Sequence, residues 1–197
     1  MTIREALLKD AEEIIDIYRP YVLETAITFE YEVPAVEEME KRIREREGRY
    51  PFLVAEENGR VLGYAYLSPF KERSAYDWSA ETSIYVRREE RGRGLGSVLL
   101  GALEKESRKM NLLSLEACIA TPHSSPDPHL TDESVKFHER KGYVRRAYFP
   151  SSGYKFNSWY DMIWMEKMIG PHTQAPSSVK FGEWKKYKAV KLFIDEW

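Results

Sequence analysis

The sequence predicts a mixed α/β domain, a sheet of about seven strands flanked by helices, with a separate C-terminal tail. Three observations carry this. Seven short apolar-rich runs read as strands, and amphipathic stretches at helical spacing fall between them. A tight hairpin is encoded by Asn58-Gly59, which supplies two positive-φ positions. A strand runs through closely spaced glycines into a helix at 84–110.

The elements follow in order. Thr2 to Glu5 read as a strand, and a helix follows with Ile14, Ile15 and Tyr18 on one face and Asp10 as its cap. Pro34 precedes a second helix over about 35–48, closed near Gly48. PFLVAEE and VLGYAYL form the hairpin. SPFKERSAYDW is a polar loop, ETSIYV a strand, and Val98 to Met110 a helix. LLSLEACIA reads as a buried strand, so Cys118 is expected inside it as a small core residue. TPHSSPDPHLTD is a loop by its Pro, Ser and Asp content. Glu133 to Lys141 are helical up to Gly142, and YVRRAYF and WYDMIWMEKM are the last two strands. The expected division is a domain over 1–168 and a linker and tail over 169–197. GPHTQAPSSVKFG reads as the linker. Val190, Phe193, Ile194 and Trp197 fall at i, i+3, i+4 and i+7, the spacing of an apolar helix face.

Composition narrows the class of function. With 197 residues the chain suits one domain of roughly 100–200 residues. Thirty basic against thirty-two acidic residues argue against nucleic acid as the main partner. One cysteine excludes an internal disulfide and fits a reducing compartment. No run approaches the ~18 apolar residues of a membrane span. The N-terminus carries acids and no apolar stretch, so it is not a secretory signal, and a cytoplasmic location is expected. His123 and His129 share a loop with Asp127 but lack a third or fourth convergent ligand, so no metal site is expected.

The sharpest motif is Arg91-Gly92-Arg93-Gly94-Leu95-Gly96-Ser97. Glycines there let backbone N–H groups turn toward one point, and the helix start adds unpaired N–H groups and partial positive charge. The alternatives are a phosphate site and a plain flexible turn; the flanking strand and helix favour the first. A P-loop ends Gly-Lys-Ser/Thr and a dinucleotide loop reads G-x-G-x-x-G, so neither fits.

Arg91-x-x-Gly94-x-Gly96 after a strand resembles the pyrophosphate loop of the GCN5-related N-acetyltransferases. The element order is similar to that fold, a largely antiparallel sheet, from about residue 2 to 168. The resemblance is closer to the branch of phosphinothricin N-acetyltransferases and L-amino acid N-acyltransferases. Thr28-Phe29-Glu30, Tyr76-Asp77-Trp78-Ser79-Ala80-Glu81, Ile84-Tyr85-Val86, Phe137-His138-Glu139, Lys141-Gly142-Tyr143, Gly153-Tyr154-Lys155 and Trp159-Tyr160-Asp161 carry it.

The resemblance implies acetyl-CoA as cosubstrate. Backbone groups of Ile84, Tyr85 and Val86 would pair with its pantetheine arm like an added strand. Backbone N–H groups of Gly92 to Ser97 would hold the pyrophosphate, with Arg91 or Arg93 adding charge. The family often places an asparagine before the last helix; here Ser134 is the nearest substitute. An amine must lose a proton before it attacks a thioester, and Glu81 is the candidate base, directly or through a water. His138 is the second candidate, for acid–base work at the cofactor thiol. Phe29, Glu30, Arg73, Tyr76 and Lys155 are placed around the acceptor, Arg73 or Lys155 pairing with its carboxylate. The expected enzyme acetylates a small amino-acid-like amine such as phosphinothricin or methionine sulfoximine. Two other readings are a protein N-terminal or lysine acetyltransferase and a non-catalytic acyl-CoA-binding regulatory module. Aromatic residues of the last strand and tail, Trp159, Tyr160, Trp164, Trp184 and Trp197, point to a homodimer.

Overall fold

The structure is a computed structural model that describes residues 1–124, 126–183 and the backbone of 190–191. Its element order matches the sequence expectation: β1 (Thr2–Glu5), α1 (Ala11–Glu24), α2 (Val36–Arg46), β2 (Phe52–Glu57), β3 (Arg60–Pro69), β4 (Ser79–Val86), α3 (Leu95–Lys109), β5 (Ser114–Pro122), α4 (Glu133–Arg140), β6 (Val144–Lys155) and β7 (Ser158–Met168). A two-residue strand, β8 (Val190–Lys191), adds to β1. The sheet order is β6-β7-β5-β4-β3-β2-β1-β8, and β4–β5 is its parallel pair. No helix among the described residues is long and apolar enough to cross a membrane.

Strand alternation divides the apolar residues between two faces. Ile3, Leu53, Ala65, Leu67, Leu115 and Ala117 meet α3 residues Leu99 and Leu103 on one face. Val54, Val61 and Tyr64 meet Ile14, Tyr18 and Tyr21 of α1 and Met39 and Ile43 of α2 on the other. The Asn58-Gly59 turn has φ of 53° and 79°, as the hairpin requires.

Four local expectations are corrected. Asp10 stands at the start of α1 but turns its carboxylate back, accepting from Leu7 N at 2.7 Å and pairing with Arg4 at 2.6 Å. Helix α3 starts at Leu95, three residues before Val98, because Gly94 itself takes the left-handed cap conformation. Cys118 is exposed rather than part of the core: it projects with Glu116 to the face opposite Leu115, Ala117 and Ile119. Val190, the first residue of the expected tail helix, lies in β8, because its backbone pairs with Ile3. The other three tail positions, Phe193, Ile194 and Trp197, lie outside the described residues, as does Trp184.

The stretch before the tail is docked. Trp78 Nε1 donates to Ser177 O at 2.9 Å, Lys180 N to Met110 O at 2.9 Å, and Phe181 packs on Tyr50.

Candidate active site

The site begins where two strands part. β4 and β5 pair only through Ser79–Ser114, Ala80–Leu115 and Glu81–Glu116. Beyond this, β3 holds β4 as far as Val86, and β7 holds β5 as far as Pro122. Among the described residues, the backbone of β4 past Glu81 therefore has no strand partner on its β5 side. Tyr85 pairs with Tyr64 toward β3, so Ile84 and Val86 present their N–H and C=O groups to the open edge. The Tyr21 hydroxyl occupies one end of that edge, donating to Val86 O at 2.6 Å and accepting from Val86 N at 3.3 Å, so both backbone groups of Val86 are engaged and those of Ile84 are open.

The open edge runs into the glycine loop. Gly92 and Gly94 have φ of +82° and +78°, a region costly for any side chain with a Cβ. Among the described residues, an added Cβ at either would meet nothing within 4 Å. Ser97 N and Val98 N are the first to find a carbonyl, both on Gly94 at 2.9 and 3.1 Å. Among the described residues, the N–H groups of Gly92 to Gly96 donate to no backbone carbonyl. This is a cradle of unpaired donors at a helix start, suited to phosphate oxygens. The two arginines separate: Arg93 pairs with Glu57 at 3.0 Å and with Glu90, whereas Arg91 lies over the Tyr21 ring at 5.2 Å. Arg91 is the one left with charge to offer. Ser134 is half-buried in the first turn of α4, where its carbonyl accepts from His138.

Glu81 sits half-buried where the strands part. It shares a face with Tyr85, whose ring meets Tyr18 and Tyr21 edge-on at 4.9 and 5.1 Å. Burial raises the Glu81 pKa, and Lys71 and Arg46 partly oppose that. Lys71 lies over the rings of Phe70 and Trp164 at 5.0 and 5.4 Å, and Arg46 over Tyr66 at 4.4 Å. A carboxylate with raised pKa, flanked by two cations on aromatic floors, can accept a proton and face an anionic amine acceptor.

His138 belongs to the opposite side of the sheet, on α4, 7 % exposed. Its ring meets Phe137 and Tyr143 edge-on, and its Nδ1 donates to Ser134 O at 2.8 Å. Burial lowers its pKa, so the ring stays neutral at pH 7 and offers a lone pair rather than a proton.

The acceptor residues do not converge as a set. Lys155 is withdrawn from it: 2 % exposed, its Nζ donates to the carbonyls of Val22, Thr25 and Thr28 at 2.7, 2.9 and 2.8 Å. An ammonium with three carbonyl partners fastens β6 to the end of α1 and cannot reach a ligand. Phe29 is wedged against β6, where a Cβ on Gly153 would stand 2.2 Å from its ring. Glu30 pairs with Arg42 at 2.8 Å. Arg73 and Tyr76 are exposed in the β3–β4 loop, which places Lys71 beside Glu81. His123 and His129 are taken up by protein: His123 pairs with Asp161 at 2.9 Å, and His129 stacks on Phe156 at 3.9 Å. No group of three or more His, Cys, Asp or Glu among the described residues could hold a metal.

Sequence reasoning missed Tyr21, Arg46, Lys71 and Glu116. A glutamate inside the apolar run LLSLEACIA was a readable signal for the last. Nothing local marks the other three, which reach the site only through tertiary packing.

A parted strand pair, a donor cradle at the following helix and a carboxylate at the fork together suit an acyl-transfer site with a phosphate-bearing cosubstrate. The chain matches the acetyltransferase (GNAT) domain over residues 3–164 and belongs to that family. It is 35% identical over 175 residues to a phosphinothricin N-acetyltransferase of Streptomyces viridochromogenes, covering 88% of this chain and 91% of that protein. An L-methionine sulfoximine/L-methionine sulfone acetyltransferase of Salmonella typhimurium is 31% identical, over 87% of this chain and 96% of the other. A phosphinothricin acetyltransferase from Sinorhizobium meliloti, solved with acetyl-CoA, superposes with a TM-score of 0.81 at 32% identity, over 92% of this chain and 96% of its own.

Proposed function

We propose that this acetyltransferase moves the acetyl group of acetyl-CoA to the primary amine of a small amino-acid-like acceptor, with Glu81 as general base. The observation that carries the reading is the β4 edge, left without a strand partner past Glu81 among the described residues, leading directly into the glycine cradle. Ile84 would hold the pantetheine arm, joined by Val86 where the arm displaces the Tyr21 hydroxyl, and the N–H groups of Gly92 to Gly96 the pyrophosphate, with Arg91 beside them. Bound there, acetyl-CoA supplies an activated acyl group at the fork beside Glu81.

The chemistry follows from the groups at the fork. The acceptor arrives as an ammonium, and Glu81 takes one of its protons, directly or through a water. The freed nitrogen lone pair attacks the thioester carbonyl; the new C–N bond forms, the C–S bond breaks, CoA leaves as a thiolate, and the acylated nitrogen gives its remaining extra proton to solvent to become the amide. A neutral His138 is no acid at pH 7, so solvent returns the thiolate's proton. Cys118 is no nucleophile here: crowding by protein and the nearby Glu81 push its thiol up to about 12. Lys71 and Arg46, both cations facing Glu81, support an acceptor that carries a carboxylate. The names of the relatives support the phosphinothricin or methionine sulfoximine type.

Two further readings accompany this one. Of the aromatic residues that pointed to a homodimer, Trp159 is 55 % exposed and supports it, whereas Tyr160 is 1 % exposed and packs inside the protein. A reducing, cytoplasmic setting suits the unpaired Cys118.

A thiol-release assay with acetyl-CoA across amino acids, amines and short peptides tests the reading. Release of CoA with small amino-acid-like amines is the expected result. Binding of acetyl-CoA without release for any small amine would refute it, and release with peptides alone would move the acceptor to protein.

A further inference from the structure

We infer that Glu116 is a positioning residue for this reaction, a carboxyl beside Glu81 whose ionisation sets the strength of Glu81 as a base. The inference rests on the reading of Glu81 as the base.

Three glutamates lie side by side across neighbouring strands. Glu81 of β4 is in register with Glu116 of β5, and Glu116 with Glu166 of β7, so all three project to one face. Their partners differ. Arg146 of β6 donates to Glu166 at 2.6 Å. Lys71 from the β3–β4 loop and Arg46 from α2 face Glu81. Glu116 accepts from the Ser114 hydroxyl at 3.0 Å, itself 2.8 Å from the Ser79 hydroxyl. Among the described residues, no cation forms an ion pair with Glu116, and it is 7 % exposed, more buried than Glu81.

Like charges in register on adjacent strands oppose each other, and the more buried carboxyl holds its proton longer. Burial pushes Glu116 up to about 7; the Ser114 hydroxyl and Arg146 oppose this, and Glu166 and Glu81 add to it. Glu116 is therefore neutral in mildly acidic solution and gains its charge as the pH rises through about 7. As Glu116 ionises, its new charge strengthens the hold of Glu81 on a proton. No proton need pass between them: Glu81 takes the amine's proton and releases it to water, and Glu116 acts through charge alone.

The test compares kcat/KM against pH for the wild type, Glu116→Gln and Glu116→Asp with one acceptor. Ionisation of the amine is common to all three and cancels in their ratios. A coupling of about one pK unit and a Brønsted slope of about one half make the ratio of wild type to Glu116→Gln rise about threefold between pH 6 and pH 8.5. Glu116→Asp restores the rise, because it restores an ionising carboxyl. Gln keeps the Ser114 hydrogen bond, so melting temperatures check that folding is equal. Carboxyl carbon NMR reads the coupling without turnover: the Glu116 midpoint, near 7 in the wild type, falls in Glu81→Gln. A flat kinetic ratio, or a midpoint indifferent to Glu81→Gln, overturns the inference. If Glu81→Gln turns over normally, the base assignment fails and the kinetic role of Glu116 fails with it. If Glu81→Gln is slow and the ratio is flat, only the role of Glu116 fails.

Discussion

Replacing Lys155 by methionine separates a structural anchor from a substrate contact. The Lys155 ammonium makes three hydrogen bonds of 2.7 to 2.9 Å to the carbonyls of Val22, Thr25 and Thr28. Methionine fills most of the same volume and donates nothing. Each carbonyl left buried and unpaired costs about 1–3 kcal/mol, about 6 kcal/mol for the three at the middle of that range. Against this, the variant no longer buries an ammonium, a relief of several kcal/mol, and water reaching the end of α1 can satisfy part of the loss. The net destabilisation expected is about 3 kcal/mol, a drop in Tm of roughly 6–12 °C for a chain of this size. Thermal and urea unfolding measure it, and kinetics below the new Tm should show the acceptor KM within about twofold of wild type. A Tm within about 2 °C of wild type, together with a large rise in acceptor KM, would show that Lys155 binds the substrate carboxylate and that the anchoring argument is wrong.

Three other outcomes are expected. Gly94→Val, forced to φ near 78° and filling the space outside the loop, should weaken acetyl-CoA binding at least tenfold by calorimetry; undiminished affinity would remove the phosphate from the glycine loop. Glu81→Gln should lower kcat by roughly 10²–10⁴ with little change in acetyl-CoA affinity. Because burial raises the Glu81 pKa, the wild-type rate should fall as pH drops through that raised value and the carboxylate is lost, and an identical acid limb in the variant would contradict the assignment. Light scattering at micromolar concentration should give a dimer mass, and Trp159→Glu, altering a side chain 55 % exposed, should shift it toward monomer; a monomeric wild type would end that proposal.

The sequence shows the fold better than the site, for a physical reason. Strand and helix periodicity are local, so all seven main strands and four helices could be read in order, and Asn58-Gly59 fixed a turn by its own φ values. Gly92 and Gly94 were legible for the same reason, since positive φ is a property of a single residue. Side-chain partners are not local. Lys155 looked like a free cation in Gly153-Tyr154-Lys155, and only the return of β6 beside α1 shows that three carbonyls surround it. Arg93 looked equivalent to Arg91 until folding brought Glu57 to it. Cys118 was placed in the core because its neighbours are apolar, but strand alternation sends it the other way, with Glu116.

The parting of β4 and β5 explains why one short segment can serve two substrates. Glu81 is the last β4 residue in register with β5, and its side chain projects to the α1–α2 face. The next residues of β4 have lost their strand partner, and Ile84 and Val86 pack toward the α3 face. In the proposed arrangement a thioester lying along that edge would be reached from the α1–α2 face by an amine beside Glu81, while its phosphates would sit at the α3 end. If β4 and β5 stayed paired to Val86, sheet hydrogen bonds would satisfy the edge and no fork would exist for the two substrates to meet. The three-residue parallel pairing is therefore the structural feature on which the proposed chemistry depends.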